Sequence, residues 1–316
     1  MRANIWQYLQ LLFISSLASS TFLAIKIADT AFSPFEVTLG RAAIAAAVLW
    51  PFALIAPGRW PRMAHSWLLL AVIAMCGGLV PFTLLNWAET HLESAMAALL
   101  WSTLPLFGLV LAHLFTRDDR FSPYKLFSVI VGLAAVSLVL YPGLSQGHAA
   151  DIYAQAAVLA AALLYAVAGV AQNRLRESID PIRIAAVAMT VSALLTAAAF
   201  PFVRATSQPV DGWAVFALLY LAIFPTALLH YLRFRLIAQV GYTFVSYTGY
   251  LVPVFGLFLG AVVLGERLPK SAYFAGGMVL AAVAISRVRA APATRVAQPL
   301  DAIGNQPDER RTVPSR

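Results

Sequence analysis

The chain has 316 residues, of which 61% are hydrophobic and 11% charged, and its formal net charge is +8. A soluble globular domain carries about 25% charged residues, so this composition excludes a water-soluble fold and, with it, a nucleic-acid binder built on a basic patch. The single cysteine, Cys76, excludes an intrachain disulfide framework and a cysteine metal site.

Apolar runs of about 20 residues are long enough to cross a bilayer as helices. Ten are predicted, at 7–28, 35–56, 67–88, 94–115, 122–141, 152–172, 184–203, 212–232, 242–264 and 271–288. The fold class expected is therefore an all-α membrane protein with ten transmembrane helices. Short connections such as PGRWPR at 57–62, YPGLSQG at 141–147 and SQPVDG at 207–212 carry turn residues. Residues 289–316 are rich in Pro, Gln, Arg and Asp without apolar periodicity, and read as a disordered cytoplasmic tail. The first 26 residues resemble a signal peptide in outline, but they end in Lys26 and belong to a repeated unit, so they read as a span.

Lys and Arg set the orientation. With the N-terminus inside, the inner loops hold Arg59, Arg62, Arg117, Arg120, Lys125, Arg174, Arg176, Arg183, Arg233 and Arg235, against Arg204, Arg267 and Lys270 outside. Both termini are expected in the cytoplasm, which requires an even number of spans.

The second half echoes the first. Pro105, Phe107, Gly108 and Leu109 recur as Pro253, Phe255, Gly256 and Leu257, each 148 positions on, and Asp118 recurs as Glu266. Pro34 precedes Pro181 by 147 positions, each opening a helix. PFTLLNW at 81–87 resembles PTALLHY at 225–231 at a spacing of 144, about a turn out of step. Two repeats are thus expected, 1–145 and 146–288, each of five helices. An odd number inverts the second copy in the membrane. Inverted repeats mark alternating-access transporters, whose substrate sites lie between the repeats near the midplane.

These residues carry a family resemblance. Two five-helix halves, each with a Pro-x-Phe-Gly-Leu helix fourth in order, resemble the EamA type of the drug/metabolite transporter superfamily. LAIK at 23–26, TLGRAAIAAAVL at 38–49 and GLFLGAVVLGERLP at 256–269 are family-like as well. The resemblance covers about residues 8–288 and implies export or uptake of metabolites such as amino acids across a bacterial inner membrane. It also implies a central cavity lined by spans one, three, four, six, eight and nine. Where family members often carry Trp-Gly in the first span, this chain has Leu17-Ala18.

Lys26 and Arg41 are cations placed inside spans, where an ionisable residue is a functional candidate. Both lie within about two turns of the outer surface, close enough to snorkel, so a structural or gating role competes with substrate contact. Glu89 and Glu93 flank the outer turn AETHLES, as proton-coupling groups or as a solvated turn with Glu93 opening the fourth span. Candidate substrate-binding residues are the polar and aromatic groups inside spans: Asn86, Trp101, Ser102, Gln172, Asn173, His230, Tyr247 and Tyr250. Tyr247 and Tyr250 are three apart, hence on one face. Such a set makes an apolar-aromatic wall with a few oriented polar groups, suited to an amphipathic solute. Belting at the headgroup level is the competing reading, and it fits Trp87, Tyr231 and Tyr242 best. Gly256 and Gly260 form a small-xxx-small pattern for close helix packing, and as a dimer contact would make the chain a weak homodimer rather than a monomer.

GLSQG at 143–147 satisfies the G-x-S-x-G hydrolase pattern but sits between two spans with no sheet to mount it. The histidines are scattered without metal spacing, and no P-loop is present. The expectation is a non-enzymatic secondary transporter of the cell inner membrane, exporting small amphipathic metabolites such as amino acids by alternating access. No cofactor or metal is expected, and the partners are a small-molecule substrate and the bilayer. The alternative is an integral membrane enzyme acting on a lipid-like substrate, which needs clustered acids, histidines or a nucleophile at the membrane face.

Overall fold

The computed structural model describes residues 4–57, 59–61, 63–115, 149–199 and 209–263, with single positions between 127 and 138 and between 265 and 281. The described residues form helices: α1 (Ile5–Ala28), α2 (Pro34–Ile55), α3 (Ala64–Glu89), α4 (Ser94–Trp101), α5 (Leu104–Phe115), α6 (Ala149–Leu175), α7 (Pro181–Ala199), α8 (Gly212–Val240), α9 (Tyr242–Ser246) and α10 (Thr248–Val263). Among the described residues, seven helices are long and apolar enough to cross a membrane, and Met96–Leu111 is a shorter apolar stretch. These match spans one to four and six to nine of the sequence reading. Spans five and ten, the loop at 143–147, Asp118, Glu266 and the tail lie largely or wholly outside the described residues, so ten crossings remain an expectation.

Local chemistry starts the helices where the sequence allows. Asn4 and Gln7 form a capping box ahead of α1, and Ser33 and Glu36 form another ahead of α2, with Pro34 in its first turn. Asp211 accepts from the Ala214 amide and opens α8. Large apolar side chains including Phe52, Ile55, Leu68, Phe216 and Phe258 are exposed on the outside of the bundle. A surface of that kind is stable against lipid rather than water.

The helix contacts come in reciprocal sets. α1 packs on α10 as α6 packs on α5, α1 on α8 as α6 on α3, and α2 on α8 as α7 on α3, while α2 meets its own counterpart α7. That pattern is what a two-fold relation between the halves produces. Both third helices carry a π-helical segment, Met75–Leu79 in α3 and Ile223–Leu228 in α8, and these begin 148 positions apart. The backbone therefore keeps the register of the Pro-x-Phe-Gly-Leu match. The spacing of 144 between the two proline motifs arises because Pro225 lies inside its π segment whereas Pro81 follows the other.

The fourth spans of both halves are broken. α4 and α5 are separated at Ser102-Thr103, just ahead of Pro105. Pro105 has no N–H for the carbonyl one turn back. The Ser102 and Thr103 hydroxyls donate to the Leu99 and Leu100 carbonyls beside the break. In the second half the break falls at Tyr247, while Pro253 sits inside the continuous helix α10. The two prolines thus occupy different positions relative to their breaks. Gly249 lets the two helices cross closely, because a Cβ there would lie 2.7 Å from Pro105 Cδ. Gly256 does the same against α4, where a Cβ would lie 2.6 Å from that of Ala98. The surroundings of Gly260 lie outside the described residues.

Two arginines assigned to inner loops by sequence are buried in helices. Arg233 is inside α8 and 3% exposed. Arg183 is in the first turn of α7, donating to the Ala53 and Ala56 carbonyls at the end of α2 and lying over Trp60. Both correct the reading of these cations as topology signals. Tyr242 is likewise no headgroup belt residue: it is buried, wedged between Gly108 and Gly169.

Candidate functional site

A cavity lies at the centre of the bundle, between the two halves. Helices α1, α3, α4, α5, α6, α8 and α10 all contribute to its wall, and α2 adds Arg41. Its apolar part includes Ala18, Phe22, Phe82, Leu85, Trp101, Leu104 and Val252, and its polar part Thr21, Tyr165, His230, Thr248 and the two arginines Arg41 and Arg233. Among the described residues, no carboxylate lines it. Its volume is about 50 Å³, room for about three or four water molecules.

The wall is held together by ring contacts. The Trp101 ring lies 5.2 Å from that of Tyr165 and 6.4 Å from that of Phe22. His230 stands edge-on to both Phe82, at 5.7 Å, and Tyr165, at 6.2 Å. Each of the latter two rings carries an arginine: Arg41 Cζ is 3.7 Å from the centre of Phe82, and Arg233 Cζ is 4.2 Å from that of Tyr165.

Thr226, in the π segment of α8, organises the polar side. Pro225 has no N–H to offer the Leu221 carbonyl, and the Thr226 hydroxyl donates to it at 2.7 Å. The same hydroxyl oxygen accepts from Arg41 Nε at 3.1 Å, and the Thr226 carbonyl meets His230 Nδ1 at 2.8 Å. π segments recur at functional sites because they re-aim side chains. Here the segment turns one threonine toward α2 in the opposite half.

The energetics of the two cations differ. Burying an ion costs several kcal/mol. A desolvated cation–π contact returns about 2 kcal/mol, and a hydrogen bond from a charged donor about 1.5–3 kcal/mol. Arg41 has both, though its Nη1 is buried without an acceptor. Arg233 has the ring contact, and no hydrogen bond or ion pair within the described residues joins it.

The structure sorts the sequence candidates. Trp101 and His230 line the cavity. Asn86 does not: it is buried against α2, donating to Thr38 Oγ1 and the Pro34 carbonyl. Ser102 sits at the helix break, and Gln172 is buried outside the lining. Asn173 accepts from the Tyr242 amide and so caps α9. Tyr247 stacks edge-on against Phe244 at the second break, and the Tyr250 side chain lies outside the described residues. Lys26 donates to the Glu89 and Leu92 carbonyls, at 2.7 and 2.9 Å, and caps the end of α3. Arg41 does not reach toward the surface; it is 2% exposed. Glu93 is exposed at the start of α4, whereas Glu89 is fully buried and accepts from Ser94 Oγ, which sets aside the solvated-turn reading for Glu89.

Sequence reasoning missed Phe82, Tyr165, Thr226 and Arg233. Arg233 fell just past the expected end of span eight at residue 232, whereas the helix continues to Val240 and holds it. No group of three or more His, Cys, Asp or Glu stands at metal-binding distance among the described residues.

Two helical repeats enclosing a central cavity in an apolar-surfaced bundle define a membrane transport protein. The chain belongs to the EamA-like transporter family, whose pattern it matches twice, over residues 5–141 and 152–288. It is 26% identical over 272 residues to a "probable terminal-alkyne amino-acid exporter" of Streptantibioticus cattleyicolor, covering 84% of this chain and 88% of that one. It is also 26% identical to the uncharacterized transporter YdeK of Bacillus subtilis, covering 88% and 92% of the two chains. A solved crystal structure at 20% identity superposes with a TM-score of 0.69 over 90% of this chain and 98% of its own, which shows the shared fold.

Proposed function

We propose that this transporter is a secondary carrier that exports small amphipathic metabolites, amino acids among them, by alternating access. The observation that carries the reading is the cavity itself, bounded by equivalent helices of both halves and lined by aromatic rings with a few fixed polar groups. Related halves facing one site support two conformations of similar energy, each open to one side. At about 50 Å³ the cavity is too small for a metabolite, so in this reading the halves part to admit one. The relative named as an amino-acid exporter supports the substrate class. The Lys/Arg bias supports an inner-membrane protein with both termini in the cytoplasm and an inverted second half.

Counterflow in proteoliposomes tests the proposal. Vesicles loaded with unlabelled amino acid should accumulate labelled amino acid transiently against its gradient. Passive leakage without counterflow would indicate a channel, and chemical conversion of a lipid-like solute would indicate a membrane enzyme; either result rejects the carrier.

A further inference from the structure

We infer that the central cavity takes its solute as an anion: a small carboxylate with an aromatic or apolar body, its carboxylate held by Arg41 and Arg233, in preference to a zwitterionic amino acid. The inference rests on the transporter reading for what the cavity is, and narrows its substrate class.

Arg41 and Arg233 are 2% and 3% exposed and line the same cavity, one from each half of the molecule. Every cavity-lining partner they have is uncharged. Arg41 lies on Phe82 and donates Nε to Thr226, and its Nη1 is buried with no acceptor within the described residues. Arg233 lies on Tyr165. Buried charges are normally paired, because the interior does not solvate them. Two guanidinium groups on one cavity without a lining carboxylate leave the counter-charge to come from the solute. The planar fork of a guanidinium matches a carboxylate with two parallel hydrogen bonds.

The same wall disfavours an ammonium group. No lining carboxylate among the described residues is there to receive it, and two guanidinium groups repel it. Aromatic faces attract cations; those of Phe82 and Tyr165 are already covered by the arginines, which leaves Trp101 and Phe22 as the rings a cation could meet. Trp101, Phe22, Leu104 and Val252 offer a surface for an apolar body. The solute enters as the halves part, since the cavity as it stands holds only a few waters.

Thermal melts of the purified full-length protein in detergent test this directly, since a ligand of the native state raises Tm. The probes are phenylpyruvate, phenylalanine, phenylacetamide and phenyl phosphate, which vary the charge on one aromatic body. Phenylpyruvate should bind at least about tenfold more tightly than phenylalanine or the amide. Arg233→Gln and Arg41→Gln should each bring the three within about twofold, and if one variant does not fold the other carries the comparison. The inference is overturned if phenylalanine or the amide stabilises the wild type as much as phenylpyruvate does. It is overturned equally if the preference survives in the folded variants, or if phenyl phosphate exceeds phenylpyruvate. The two readings fail separately. Arginine-dependent phenylpyruvate binding without counterflow of either phenylpyruvate or phenylalanine rejects the carrier and keeps the anion subsite. Counterflow of phenylalanine without any acid preference does the reverse.

Discussion

Arg41 and Thr226 meet across the two halves, with Nε donating to the hydroxyl at 3.1 Å. Their counterparts 148 positions away, Met189 and Gly78, also meet: a Cβ on Gly78 would lie 3.5 Å from Met189 Cε and 2.7 Å from Ser192 Oγ. One repeat thus uses this crossing to hold a cation, the other to bring two helices together. Thr226→Val keeps the shape and removes the hydroxyl, leaving the Leu221 carbonyl without its donor and Arg41 without its acceptor. Each loss should cost about 1–3 kcal/mol. Thr226→Val should therefore melt several degrees below wild type in detergent, and Thr226→Ser close to it. Equal melting of all three would show that the hydroxyl contributes nothing.

Gly169 should tolerate no side chain. A Cβ there would overlap Tyr242 Cε2, and the Tyr242 ring also abuts Gly108 on α5. Gly169→Ala overpacks this contact, which should cost about 1–3 kcal/mol and lower the folded yield. Gly169→Ala combined with Tyr242→Val should recover part of that yield. If the double variant is no better than the single, the clash lies elsewhere. The corresponding test on α10 is Gly256→Leu, which drives a side chain into Ala98 and should reduce yield through lost helix contact.

Much of this architecture was legible because its signals are strong ones. Runs of about 20 apolar residues gave the spans, and the PxFGL motif at 105 and 253 gave the repeat and its register of 148. The site was less legible. Trp101 and His230 stood out as large polar or aromatic groups deep in spans. Phe82 and Tyr165 look like ordinary lipid-facing aromatics until the facing helices are known. Arg233 was hidden by the expected end of span eight near residue 232, whereas the helix runs to Val240. Glu89 misled because a carboxylate at a loop end is usually solvated, and only the packing of α1 and α4 around it shows that it is buried. The two breaks in the fourth spans differ because a proline removes a donor without dictating where neighbouring contacts let the helix open.

Lys26 should matter to stability more than to selectivity. Its ammonium satisfies the Glu89 carbonyl at the end of α3, where a cation also favours the helix dipole, and the Leu92 carbonyl in the turn that follows. Lys26→Met should lower Tm by the equivalent of about 1–2 kcal/mol while leaving the rank order of bound solutes unchanged. A change in rank order at unchanged Tm would move Lys26 into the substrate path.

The topology is testable in a Cys76→Ser background. Single cysteines at positions 119 and 270 flank the equivalent ends of the two fourth spans. If the second half is inverted, position 119 labels from the cytoplasmic side only and position 270 from the opposite side only. Labelling of both from one side rejects the inversion.

The last prediction concerns the aromatic wall. Trp101 is the largest side chain on the cavity, 9% exposed, and its ring contacts tie α1 to α6 through Phe22 and Tyr165. Truncating it removes apolar contact surface worth about 2 kcal/mol to a bound solute, or about a thirtyfold loss of affinity. The truncation also removes core packing, at a cost of about 3–5 kcal/mol of stability, so transport is compared at equal amounts of folded protein. Trp101→Ala should weaken binding or abolish counterflow per folded molecule. Tyr165→Ala should act the same way, with the added effect of uncovering Arg233. Leu138 is half-buried and absent from the lining, so Leu138→Ala is the control and should transport as wild type does. Wild-type counterflow by both aromatic variants, at several solute concentrations, would place the substrate away from this wall. The capped outer turn around Lys26 and the buried Glu89 would then be the next region to probe.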